Sequence, residues 1–247
     1  MIVDKDANAV MAVFPADHVV ANSGNYIKVL QKAESLAQKS FLVTLGIPPT
    51  RPETGFGYLK QGTKINGFQE TYHVEQFVEK PDISTAKKYL ERGTYFWNCG
   101  IFVWKVSTIL EELEKHAPDI HSQLKTLTDC LQSSKGKIAH LEMNAKGCEI
   151  FSSLPSLSID YAVMEKSSKV VLVPANIGWS DVGAWNALDD VCEKDSRGNI
   201  LTGNILTRDC NNSIVHGQNR LVAVLGLNDT VVVDTPDALL VCAKDKS

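Results

Sequence analysis

The 247-residue chain is 44% hydrophobic and 22% charged, with a formal net charge of −4. It is long enough to bury a full core without staples. It carries no Lys/Arg run that would make a nucleic-acid surface, and no apolar stretch near the roughly 18–20 residues that a bilayer span requires.

The N-terminus, MIVDKDANAV, lacks the charged-then-apolar order of a signal peptide. NAVMAVFPADHVV then predicts a buried strand that ends in a polar loop. A helix is expected over Asn25–Lys39, with Ile27, Leu30, Ala33 and Ala37 on one stripe. FLVTLGI reads as a strand stopped by Pro48 and Pro49, and HVEQFVEK as a strand stopped by Pro81. STAKKYLERG reads as a short helix with Ser84 as N-cap and Gly93 past its end. GIFVWK is a strand, and Ser107–Lys115 a helix in which Thr108 and Glu111 have the spacing of a capping box. The apolar run KVVLVP leads into the turn GWSDVGAW. Strands mixed with helices predict an α/β fold with a largely parallel or mixed sheet.

EKDSRGN is a polar, turn-forming link, which places a boundary between residues 1–194 and 195–247. Beyond it NSIV, RLVAVLGL, TVVVD and ALLVCAK are short apolar runs separated by Asn, Asp, Gly or Pro. They predict a β-rich module, either a meander or the start of a β-solenoid. The six cysteines are scattered with no C-x-x-C, as expected of reduced thiols in a cytoplasmic protein.

Five places could carry chemistry. Asp17 stands at the carboxyl end of a predicted strand, the edge where open α/β sheets bind ligands. Asp181 follows another apolar strand, between glycines and tryptophans. Two such carboxylates converging would make a Mg²⁺ site completed by water and phosphate oxygens; equally, Asp17 could cap a helix and Asp181 close a turn. In RPETGFGYL, Gly55 and Gly57 remove side chains where a ligand could approach the backbone. In VEQFVEKPD, Glu79 and Lys80 are neighbours, and Pro81 biases Lys80 towards extended backbone, so the two are expected to point to opposite faces. Glu79 can accept from hydroxyls and Lys80 can neutralise a phosphate. Asn98 lies among five aromatics in YFWNCGIFVW, and a buried Asn needs partners, backbone or ligand. Asp160 in SLSIDYAVMEKS fits a first-turn helix acid. The histidines show no metal-ligand spacing, and no Gly-x-Ser-x-Gly or nucleophile–base arrangement stands out.

In order along the chain, PADHVV, LGIPPTRPETGFGYL, FVEKPD, YFWNCGIFVWK, SIDYAVMEKS and GWSDVGAWNAL resemble the motif series of the bacterial-type mannose-1-phosphate guanylyltransferase (GDP-mannose pyrophosphorylase) family. RLVAVLGLNDTVVVDTPDALLVCAKD resembles that family's C-terminal β-structured module. The resemblance implies a Rossmann-like sugar nucleotidyltransferase fold. It implies the reaction of GTP with mannose 1-phosphate to give GDP-mannose, a precursor for polysaccharides, and pyrophosphate. It implies that Asp17 and Asp181 hold Mg²⁺, that Gly57, Glu79 and Asn98 contact the sugar, and that Lys80 grips its phosphate. It assigns Asp160 no contact. Phe56 and Cys99 stand where Tyr and Ser are common in the family, both conservative departures.

One departure is larger. The family's Gly-rich phosphate turn with Arg lies upstream of PADH, and the sixteen residues before Asp17 form no such loop. The expectation is therefore a chain truncated at its front, with an exposed sheet edge, low stability and little activity alone. Its expected partners are a second copy in a homodimer or a complementing N-terminal fragment. The competing readings are a non-catalytic sugar-nucleotide-binding subunit, and a nucleotidyltransferase for another hexose 1-phosphate.

Overall fold

A computed structural model describes residues 6–133 and 141–247. The chain divides into two units, Met1–Pro15 with Gly24–Asn176, and Ala16–Ser23 with Ile177–Ser247.

In the first unit strand β1 is Val10–Val13, and helix α1 is Ser23–Ala37. Strand β2, Val19–Val20, belongs to the second unit. β3 (Leu42–Ile47), β4 (Gly57–Lys64), β5 (Tyr72–Val78), α2 (Ile83–Arg92), β6 (Tyr95–Lys105), α3 (Val106–His116) and α4 (Pro118–Asp129) follow. A hairpin of β7 (Leu131–Ser133) and β8 (Leu141–Met143), α5 (Ala145–Ser153), a π-helical turn at Asp160–Met164 and β9 (Val170–Pro174) complete it. Six strands form one mixed sheet in the order β1-β6-β3-β9-β5-β4. Only β3 and β9 run parallel; the other pairings are antiparallel. All six residues of β3 are buried, as both faces of a central strand must be. Leu42, Leu59, Phe102, Trp104, Val163 and Leu172 form the heart of the core, each side chain contributing about 1.5–3 kcal/mol by leaving water. The aromatics around Asn98 are core residues: Tyr95, Trp97, Phe102 and Trp104 are all buried.

Local details correct the sequence reading. β1 is not a buried strand but the sheet's edge, with Val13 and Phe14 exposed. α1 turns Val29, Ala33, Leu36 and Ala37 inward and leaves Ile27 in water, so the buried stripe is rotated from the one expected. The N-cap of α2 is Asp82, not Ser84: its Oδ1 accepts from the Thr85 N–H and its Oδ2 from the Thr85 hydroxyl. The Thr85 N–H, then the Ser84 side chain and the Thr85 hydroxyl, hold its carboxyl down at about 2. Gly93 ends α2 in the left-handed region, as expected. No capping box forms at α3, because Thr108 is buried and Glu111 bonds Lys169.

In the second unit β2 pairs antiparallel with β10 (Trp179–Ser180), and a 3₁₀ turn follows at Trp185–Asp190. β11 (Ile200–Thr202), β12 (Ile205–Arg208), β13 (Ile214–Gly217), β14 (Val222–Leu225), β15 (Thr230–Asp234) and β16 (Leu239–Ala243) follow. β11-β13-β15 are parallel in one sheet and β12-β14 parallel in another, with β16 antiparallel on β15. Parallel coils identify a solenoid, not a meander. Successive coils stack polar side chains in register: Asn211 bonds Asn228, and Asn212 bonds Asp229. Lys244, almost wholly buried, ties the end of the last coil to the first elements through Asp189 and Asn212.

Candidate functional site

In the first unit the structure brings Gly57, Glu79, Lys80, Asn98 and Asp160 together. Gly57 opens β4 and pairs with Asn98 across β6. A Cβ on Gly57 would fall closer than 3.0 Å to Glu79 Oε2 and 3.3 Å from Asn98 Cβ. The missing side chain is therefore the space that the Glu79 carboxylate occupies. Gly55 plays no such part: a Cβ there would make ordinary contact with Glu53, whose Oε1 accepts the Thr54 and Gly55 N–H groups and shapes the loop.

Glu79 and Lys80 do not point to opposite faces. β5 ends at Val78, and Lys80 takes φ 47°, the left-handed region, despite Pro81. The preference for extended backbone before proline is overridden, and such strain collects at functional sites. Lys80 Nζ consequently lies 3.8 Å from Glu79 Oε1, with the ammonium side 62% exposed and the carboxylate side 14%. Glu79 N–H donates to Glu165 Oε1 at 3.2 Å. Glu79 Oε2 is buried and has no hydrogen-bond partner among the described residues. Burial, and then the charge of Asp160, push the Glu79 carboxyl above its ordinary range, Lys80 opposing them and Glu165 adding to them.

Asn98 is buried and fully engaged on its oxygen. Oδ1 accepts from the Thr44 hydroxyl at 3.1 Å and from the Gly100 N–H at 3.3 Å, while Nδ2 donates to Asp160 Oδ1 at 3.0 Å. Asp160 opens the π-helical turn, whose Ala162, Val163 and Met164 are anchored in the core. It is thus not merely a first-turn acid. Burial raises its carboxyl, with the bond from Asn98 pulling the other way. Thr44 and Glu165 went unnoticed in the sequence. Thr44 is hidden inside the apolar FLVTLGI, and nothing in that run marks it. Glu165 sits within the SIDYAVMEK motif, which was the only available signal.

In the second unit Asp17 and Asp181 lie at one end of the β2/β10 ribbon. The register Trp179↔Val20 and Ser180↔Val19 sets the chain entering β2 beside the chain leaving β10. Asp17 is 85% exposed, with Oδ1 4.0 Å from His18 Nε2. His18 Nδ1 accepts from Trp179 Nε1 at 3.1 Å, which ties His18 to the tryptophan. Asp181 Oδ2 lies over Gly183, where a Cβ would approach to 2.7 Å, and Val182 beyond it has φ 49°. Glycine at 183 leaves this carboxylate its place. Two hard oxygen donors at one ribbon end, one of them open to water, fit a divalent cation that keeps several waters. Among the described residues no three His, Cys, Asp or Glu gather around one point, so water or substrate oxygens have to complete any such shell.

An acceptor with a free oxygen, an amide with a free N–H and an ammonium group suit a hydroxylated anion. The pair of acids in the second unit suits a divalent cation. Residues 1–198 match the family model described as nucleotidyl transferase, and residues 203–247 the one described as mannose-P isomerase/GMP-like β-helix domain. The chain is 41% identical over 246 residues to the alginate biosynthesis protein AlgA of Pseudomonas syringae pv. tomato, covering 99% of this chain and 50% of the relative. It is 39% identical over 246 residues to the mannose-1-phosphate guanylyltransferase of Salmonella montevideo, covering 96% and 51%. A solved structure described as mannose-1-phosphate geranyltransferase from Thermus thermophilus superposes with TM-score 0.84 at 34% identity, covering 98% of this chain and 68% of that one. The chain spans about half the length of the curated relatives it matches. With the sheet, the β-helix and the polar cluster all consistent with these matches, the chain belongs to the nucleotidyl transferase family.

Proposed function

We propose that the chain carries out mannose-1-phosphate guanylyl transfer, in which GTP and mannose 1-phosphate give GDP-mannose and pyrophosphate. The observation that carries the reading is the cluster around Gly57. Glu79 Oε2 is buried yet unpartnered, and the exposed Lys80 ammonium is held 3.8 Å from the other carboxylate oxygen. A buried acceptor left unmatched costs about 1–3 kcal/mol, which a ligand hydroxyl would recover. Glu79, with Asn98 across the strand pair, receives the sugar hydroxyls over the bare Gly57. Lys80 receives the sugar phosphate.

The nucleophile is a phosphate oxygen of the sugar phosphate, already largely ionised at neutral pH because its second pKa is about 6. No general base is needed. The barrier is the meeting of two anions in line. Lys80 offsets part of that repulsion and fixes the direction of approach. Asp17 and Asp181 are the residues that would hold Mg²⁺, and the ion when bound supplies charge neutralisation at the phosphates. The functional division is proposed at 194/195, the β-rich module being supportive. All six cysteines are free, and no helix among the described residues is long and apolar enough to cross a membrane; both facts support action in the cytoplasm. A second copy or a complementing N-terminal segment is the proposed macromolecular partner, supported by the half-exposed edge strand β1.

The test is Mg²⁺-dependent formation of GDP-mannose by the purified chain, with Asp181→Asn as control and glucose 1-phosphate with UTP or dTTP as competing substrates. Turnover confined to mannose 1-phosphate and GTP, and lost in Asp181→Asn, supports the reading. Binding of sugar nucleotide without turnover, with or without added N-terminal segment, would replace it by a regulatory subunit.

A further inference from the structure

An amide side chain has four hydrogen-bonding positions, two on oxygen and two on nitrogen. At Asn98 three are filled from three directions. The Thr44 hydroxyl and the Gly100 N–H meet Oδ1, and Asp160 Oδ1 meets Nδ2. These partners are not equivalent. The Thr44 hydroxyl can donate or accept, so it serves either orientation of the amide. The Gly100 N–H can only donate, and its bond is the longest of the three at 3.3 Å. An ionised Asp160 can only accept, and its bond is the shortest at 3.0 Å. Turning the amide over would set the carboxylate against an oxygen and the Gly100 N–H against an NH₂ group. One orientation satisfies every partner, and it leaves one Nδ2–H uncommitted.

We infer that Asp160 is a positioning residue whose carboxylate locks the Asn98 amide so that it offers a donor, and never an acceptor, to the ligand. The consequence is a matched pair around Gly57: a donor from Asn98 and an acceptor from Glu79 Oε2, which the protein leaves unsatisfied. That pair is complementary to two neighbouring hydroxyls, one accepting and one donating. Asp160 touches neither; it acts through Asn98. The inference deepens the proposed function and rests on Glu79, Lys80 and Asn98 forming the sugar-phosphate site.

The experiment is calorimetric titration of the full chain with mannose 1-phosphate and with its 2-deoxy and 3-deoxy analogues. The variants are Asp160→Leu, which loses the acceptor, Asp160→Asn, which keeps an acceptor oxygen, and Thr44→Val. The Asn98 side-chain amide is followed in parallel by ¹⁵N–¹H NMR. Asp160→Leu should weaken mannose 1-phosphate by about tenfold or more and close the gap between it and the deoxy analogues. Asp160→Asn should restore affinity to within about threefold, and Thr44→Val should change it little because Gly100 still holds the oxygen. The Asn98 amide proton shifts should be kept in Asp160→Asn and lost in Asp160→Leu. A merely structural Asp160 would weaken all ligands equally and leave the deoxy gap intact, which overturns the proposal. Unchanged Asn98 amide signals in Asp160→Leu overturn it as well, whether or not sugar binds. Failure of the wild type to bind mannose 1-phosphate, with the amide signals still dependent on Asp160, refutes the sugar-site reading and leaves the lock standing.

Discussion

Gly57→Ala offers the most direct test of the cluster, because one methyl group separates two explanations for a glycine. Gly57 does not occupy the left-handed region, so alanine brings no backbone strain. Its Cβ would instead fall closer than 3.0 Å to Glu79 Oε2, 3.3 Å from Asn98 Cβ and 3.4 Å from Phe77 Cε1. The strand and the aromatic ring cannot yield, so the carboxylate has to retreat by about 1 Å to reach ordinary contact. Functional groups tolerate only about half that displacement before they fail, and a 1 Å error can cost about 100-fold. The expected loss of mannose 1-phosphate affinity is therefore tenfold or more, by order of magnitude. Because the atom that must move is the far end of a flexible side chain, the cost to the fold should fall at or below the low end of the about 1–3 kcal/mol of overpacking, at about 2–4 °C of thermal midpoint per kcal/mol for a chain of this size. Gly55→Ala is the internal control, since its Cβ meets only Glu53 Oε1 at 3.5 Å; it should leave both quantities near wild type. Adding Glu79→Asp to Gly57→Ala shortens the acid and should recover the midpoint without recovering the affinity. Calorimetry and differential scanning measurements on the four proteins decide the matter. If Gly57→Ala binds as the wild type does, or Gly55→Ala is the more damaging, the glycine is not a space for Glu79.

Lys80→Met should weaken mannose 1-phosphate by about tenfold or more while leaving the thermal midpoint nearly unchanged, because the Lys80 side chain is 62% exposed; equal affinity would remove Lys80 from the phosphate. Burial and the neighbouring Asp160 raise the Glu79 carboxyl from 4.5, so a hydroxyl acceptor is lost on acidification at a pH above the usual glutamate range. The phosphate ionises near pH 6 on its own account, so the Glu79 contribution is the difference between wild-type and Glu79→Gln affinity profiles, and coincident profiles would contradict the assignment. The stability consequence has the opposite sign to that of a salt-bridged acid: the penalty of a raised carboxyl is present above its folded pKa and vanishes below its unfolded one, so Glu79→Gln should stabilise the fold at neutral pH more than in acid, as denaturant unfolding at both pH values will tell. Lys244→Met strands Asp189 and Asn212 at the end of the solenoid. With Lys194 still 3.1 Å from Asp189, the loss should fall at the low end of the about 3–5 kcal/mol typical of breaking a buried pair. Chemical denaturation followed by tryptophan fluorescence would register it, and an unchanged midpoint would show that Lys244 is dispensable.

How much of this was legible beforehand depended on how far apart the cooperating residues lie. Strand β3 and the Gly93 stop were readable because hydrophobic runs and glycine caps act locally. The solenoid was half readable: short apolar runs are visible, but the stacking of Asn211 on Asn228 and of Asn212 on Asp229, each seventeen residues on, has too few repeats to separate it from a meander. Helices α4 and α5 were not foreseen, since neither carries a strong apolar stripe; α4 buries Leu127 and α5 Gly147. The site shows the same division. Gly57, Glu79, Lys80 and Asn98 were grouped into one site by the family resemblance, yet the relation of Glu79 to Lys80 was misjudged, because a local rule put Lys80 in extended backbone and the fold put it at φ 47°. The orientation of Asn98 was beyond any local rule: the nearby Gly100 N–H makes only the longest of its bonds, and the acceptor that fixes which way the amide faces is Asp160, 62 residues on. Residue types reveal what chemistry a chain can do. The direction in which a buried amide presents that chemistry belongs to contacts that only the folded sheet creates, and here it decides whether the ligand meets a donor or an acceptor.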